Sequence, residues 1–92
     1  MAFMQKQLDL QLKSIKTNTT KLEIEIVKYK NNKIDADQLE QEFTEMCERL
    51  QGFADRFEKE YKDYPKDILK LMNATDNAIA MAQVSIDIAL KK

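Results

Sequence analysis

Apolar residues recur along this chain in steps of four and three, and the recurrence is interrupted twice. From Leu8 the first run passes through Leu12, Ile15, Leu22, Ile26 and Tyr29, with Thr19 standing at the one polar step. The second run is Leu39, Phe43, Met46, Leu50, Phe53 and Phe57, continued on the same face by Tyr61 and Tyr64. The third is Ile68, Met72, Thr75, Ile79, Ala82, Ile86 and Ala89, flanked by Leu71, Ala78 and Leu90. Alternating steps of four and three put every member of a run on one face of an α-helix. The spacing therefore predicts three amphipathic helices near residues 3–30, 37–62 and 65–90.

The interruptions supply stop and start signals. Asn31-Asn32-Lys33-Ile34-Asp35-Ala36-Asp37 is polar and breaks the first run. Asp35 or Asp37 can cap the second helix, with Gln38 or Glu40 three residues on as reciprocal partner. Pro65 suits the first position of a helix, and the residue before a proline disfavours helical backbone, so Tyr64 marks the second boundary. Two structural alternatives follow. One is an antiparallel three-helix bundle with heptad-like packing. The other is an extended helical hairpin in which the chain runs helically through Pro65. Self-association is open to either. No linker or low-complexity tract divides residues 1–92, which read as one domain.

The runs name a core: Leu8, Leu12, Ile15, Leu22, Ile26, Leu39, Phe43, Met46, Leu50, Phe53, Phe57, Ile68, Met72, Ile79 and Ile86. Two features do not fit a simple amphipathic scheme. Gly52 stands inside the second run, where it costs about 1 kcal/mol relative to Ala; a close approach by a neighbouring backbone would account for it. Thr17-Asn18-Thr19-Thr20 places poor helix formers inside the first helix. That stretch reads as a polar layer the helix tolerates, or as a hinge.

The third helix is apolar on more than one side. Leu69, Val84 and Ile88 lie away from its main run, with Ala80 and Met81 nearby. A helix apolar nearly all round is usually buried, and three helices cannot bury every side of one of them. Leu69, Met81, Val84 and Ile88 are therefore the candidate partner-binding residues. A weaker second strip on the first helix comprises Phe3, Leu10 and Ile24.

Charge and composition narrow the function classes. The chain carries a net charge of −1, unevenly spread. Residues 1–34 hold seven Lys against three acidic residues, and residues 35–64 hold ten acidic against four basic. That asymmetry favours the first helix beside the second over self-pairing of either. There is no His, which removes the commonest general base and metal ligand. The single Cys47 cannot build a thiolate metal site, and no glycine-rich loop is present to cradle phosphate. Glu40, Glu42, Glu45, Glu48, Asp55 and Glu58 read as a solvated face and not as a metal ladder.

No enzymatic activity, metal or cofactor is expected, and no small-molecule substrate. Neither a membrane span nor an apolar signal core is read in the sequence, and with the lone cysteine a cytoplasmic setting is expected. The leading expectation is a protein–protein interaction module, an adaptor, chaperone or inhibitor of a larger protein, binding through an apolar face of the C-terminal helix. A self-associating structural subunit is the second reading. A nucleic-acid-binding accessory protein using the Lys-rich first helix is the third, and the least favoured, because that segment lacks Arg and interleaved aromatics.

Overall fold

The computed structural model describes residues 2–91, with side chains from Met4 onward. It contains three helices, α1 (Ala2–Lys30), α2 (Ala36–Glu60) and α3 (Pro65–Leu90), and no strand among the described residues. The side chain of Phe3, assigned above to a secondary strip, lies outside the described residues.

Each boundary has a local cause. Asn32 takes a left-handed backbone, φ 61°, a conformation Asn adopts more readily than most non-glycine residues. Behind it the Lys33 amide donates to the Lys28 carbonyl at 2.8 Å and the Asn32 amide to Tyr29 at 3.0 Å. This paired closure uses the last carbonyls of α1 and stops the helix. The expected cap of α2 is realised by Asp35 and not Asp37: the Gln38 amide donates to Asp35 Oδ1 at 2.8 Å, and the Asp35 amide donates to Gln38 Oε1 at 3.2 Å. At the other end Tyr61 closes α2 by donating to the Phe57 carbonyl at 2.9 Å, and Pro65 opens α3. The continuous hairpin through Pro65 is thereby excluded. The second helix also stops short of residue 62, because Tyr61–Asp63 turn.

Each helix packs against both others. The molecule measures 47 × 16 × 16 Å. At 1.5 Å per residue α1 alone is about 43 Å long. The envelope is therefore one helix long, and the two short connections reverse the chain twice. In consequence α1 and α3 run in the same direction and α2 runs against them. No helix among the described residues is long and apolar enough to cross a membrane.

The core forms two clusters. One joins Leu22, Ile26, Leu39, Met46, Leu50, Ala82 and Ile86. The other joins Met4, Leu8, Ala54, Phe57 and Leu71, and Ile15 packs against both. Every residue of the expected core is buried or half-buried. The centre of the buried face of α3 nevertheless differs from the expectation. It lies on Leu71, Thr75, Ala82 and Ile86, while Ile68, Met72 and Ile79 are half-buried. Contact with two helices rather than one rotates the face toward α1.

The tolerated-layer reading of Thr17–Thr20 matches the geometry. Helix α1 is unbroken there. Thr17 Oγ1 donates to the Lys13 carbonyl and Asn18 Nδ2 to the Ser14 carbonyl, at 3.0 and 2.8 Å. Asn18 Oδ1 in turn accepts from Arg49 Nε of α2 at 2.9 Å. The charge asymmetry between α1 and α2 is not expressed as ion pairs between helices among the described residues. The pair found, Lys28–Glu25 at 3.0 Å, lies within α1. Gly52 is exposed, and a Cβ placed on it would meet nothing within 4 Å. No neighbouring backbone approaches, so the close-packing account of this glycine is overturned.

Candidate protein-binding groove

With Leu71, Thr75, Ala82 and Ile86 turned inward, the geometry of α3 decides what points out. Leu69, Met81, Val84 and Ile88 are 61%, 72%, 57% and 65% exposed. The structure brings three of them together. Met81, Val84 and Ile88 follow one another at helical spacing along one edge. Leu69 is fifteen residues before Val84, about 22 Å along the axis. Exposed Asn73, Asp76 and Asn77 occupy the turns between. Leu69 is thus a single exposed leucine, which is ordinary on a protein surface, while the other three form a patch.

The patch borders a groove that the runs of large residues did not reveal. Along the side of α3 that faces α1 stand Ala74, Ala78, Ala82 and Ser85, and α1 contributes Thr19 at its middle. These side chains are too short to fill the space between two helices, so a groove of about 350 Å³ stays open. Its apolar floor comes from Leu12, Ile15, Leu22 and Ile26, and Met81 forms part of its wall. Toward the C-terminal ends of both helices it continues past Glu23, Lys30, Ser85 and Ile88. Exposed Ile24 and Val27 stand on α1 at the same end. Ile24 belongs to the secondary strip read in the sequence. Val27 was not singled out, because it falls beside the main run and carries no periodic signal of its own.

The charges around the groove are sparse. Lys16, Glu23 and Lys30 belong to the α1 wall, and the α3 wall from Ala74 to Ile88 is uncharged where it lines the groove. A lining that is mostly apolar, open along its length and bordered by a few charges suits a helix laid against it more than a small polar ligand. The length agrees: from Leu12 to Ile26 the groove follows α1 for about 21 Å, some four helical turns.

Other candidate chemistry is scattered. Cys47 is half-buried beside the core cluster. Burial pushes its thiol pKa up, and neighbouring Glu48 adds to the effect. That direction disfavours the reactive thiolate. Among the described residues no group of three or more Cys, Asp or Glu side chains converges to hold a metal ion. Glu40, Glu45, Glu48, Asp55 and Glu58 are exposed on α2, and Glu42 is half-buried. Comparison with known protein families, with curated proteins and with solved structures finds no match.

Proposed function

We propose that this protein is a non-enzymatic protein-interaction module that works by taking a helix into the groove between α1 and α3. The observation that carries the reading is the placement of Met81 and Ile88 along an apolar groove lined by Leu22 and Ile26, with exposed Val84 between them on the outer side of α3. Apolar area left in water is an association free energy not yet realised, at roughly 25 cal/mol per Å² covered. Three large side chains on one edge, beside an open groove, supply the anchors that helix-in-groove recognition uses at spacings of three and four. An adaptor, a chaperone or an inhibitor would each use such a surface, and a cytoplasmic setting suits all three.

The test is a paired capture. The full chain and its Val84→Ser/Ile88→Ser double variant are presented as tagged baits, and bound proteins are compared by mass spectrometry, with the bait's own untagged chain counted among them. Chains retained by the parent and lost by the variant support the reading. Identical sets on both baits refute it.

A further inference from the structure

We infer that the helix received by the α1–α3 groove belongs to a different protein and carries an acidic, a basic and an acidic residue at seven-residue intervals on the flank that meets α1. The inference rests on the reading of the groove as a helix-binding surface and specifies the chemistry of its occupant. Lys16, Glu23 and Lys30 are exposed and line the groove from the α1 side. Their spacing of seven stacks them along one line of the helix, about 10.5 Å from each to the next. Among the described residues none of the three side chains has an ion-pair or hydrogen-bond partner. They are too far apart along α1 to pair with one another. The facing wall offers them nothing, because α3 from Ala74 to Ile88 is uncharged where it lines the groove. Asp87, in that stretch, accepts from Gln83 Nε2 at 2.9 Å outside the groove. One wall thus presents plus, minus and plus at a heptad interval, the position from which flanking charges of paired helices select a partner. Its complement is minus, plus and minus at the same interval.

The α3 wall specifies the apolar side of the occupant. Ala74, Ala78, Ala82 and Ser85 step by four, four and three and leave the space open, so the incoming helix supplies the bulk, with large apolar residues at those steps. The chain's own α2 is a helix of this kind. It packs on the same two helices from their other side, with Leu39, Met46, Leu50 and Phe57 buried and an acidic outer face. A second copy of the chain meets the requirement poorly. An α3 laid into the groove in a two-fold pair would bring both copies of α1 into one space. The outer face of α2 exposes no large apolar residue. The outer strip of α1 sets Ile24 between Lys21 and Lys28, which would approach the groove's own lysines.

The experiment is a charge-swap titration of the full chain with two designed helical peptides of roughly 25 residues, long enough to hold a helix over the groove. Both carry the same leucine stripe at steps of three and four. One sets Glu, Lys and Glu at seven-residue intervals beside the stripe and the other Lys, Glu and Lys, with outward-facing charges adjusted so that their net charges are equal. Binding to the parent and to its Lys16→Glu/Glu23→Lys/Lys30→Glu variant is read by fluorescence anisotropy, with helicity checked by circular dichroism. The parent should bind the Glu-Lys-Glu peptide roughly tenfold or more tightly than its counterpart, the variant should reverse the preference, and added salt should shrink it. Equal affinities for the two peptides, or a preference the variant leaves unchanged, would overturn the inference. So would a parent chain whose own copies displace the preferred peptide, since the occupant is then the chain itself. If both peptides bind equally and Val84→Ser/Ile88→Ser releases both, the groove still takes a helix and only the charge pattern is refuted. If neither peptide binds the parent, the inference falls, and the paired capture decides the groove reading separately.

Discussion

Replacing Gly52 with Ala should make this protein more stable, and the size of the gain follows from the structure. Gly52 lies well inside α2, its φ is not in the positive range, and a Cβ there would meet no atom within 4 Å. The substitution therefore adds no clash and removes no contact. What remains is helix propensity, which favours Ala over Gly by about 0.8–1.0 kcal/mol in a helix interior. Most of that gain comes from the unfolded chain, which loses freedom when glycine is replaced. In a domain of this size 1 kcal/mol moves the melting midpoint by about 4–8 °C. Thermal melts followed by circular dichroism at 222 nm should show that rise. Denaturant titrations should show a higher midpoint with an unchanged slope. A lower midpoint would mean that something packs on Gly52 which the isolated chain does not show, and the propensity argument would fail.

Three further outcomes follow from the core. Phe57→Ala should cost about 3–5 kcal/mol in denaturant titrations, because Phe57 is 2% exposed and its ring meets that of Tyr61 in a tilted contact, centroids 4.8 Å apart, while half-buried Phe53→Ala should cost less; equal costs would misplace the centre of the core. Thr75 is 1% exposed and its hydroxyl has no hydrogen-bond partner among the described residues, so Thr75→Val should raise stability by about 1 kcal/mol, and a loss measured in the same titration would show that the hydroxyl is satisfied. The Cys47 thiol is raised by burial in the fold, so the unfolded chain ionises first. Its contribution to stability is present below the unfolded thiol's pKa, about 8.5, and is lost as pH rises through the folded value. Alkylation of Cys47 at pH 8 should accordingly be slower in the native chain than in denaturant, and equal rates would place the thiol in water.

Much of the fold was legible because helices advertise themselves periodically. The Asp35–Gln38 cap, the break at Asn31–Asn32 and the proline opening α3 are local events, each settled by a few neighbouring residues. The rotation of α3 was not legible, since Leu71 and Ile68 are both apolar and only the position of two partner helices chooses between them. Met4 and Ala54 were missed for similar reasons: one lies before the first strong run, and the other is a small residue whose burial depends on what crosses it. At the site, the exposure of Met81, Val84 and Ile88 followed from an excess of apolar faces on one helix. The groove did not, because its signal is the small size of Ala74, Ala78, Ala82 and Ser85, which a search for large apolar residues passes over. Leu69 belonged to the patch by polarity but not by distance. Gly52 invited a packing explanation where the structure offers only open solvent.

Under the proposed function, the α3 edge serves association and not folding. The most direct measurement is to take one double variant, Val84→Ser/Ile88→Ser, and record its thermal melt and its sedimentation velocity side by side with the parent. Both positions are more than half exposed in the single chain, so surface substitutions there should move stability by no more than about 0.5 kcal/mol each. The expected variant keeps the parent's helicity, melts close to the parent's midpoint under dilute conditions, and does not associate with the Glu-Lys-Glu peptide. A variant that unfolds would place Val84 and Ile88 in the core. A folded variant that associates as the parent does would contradict the claim.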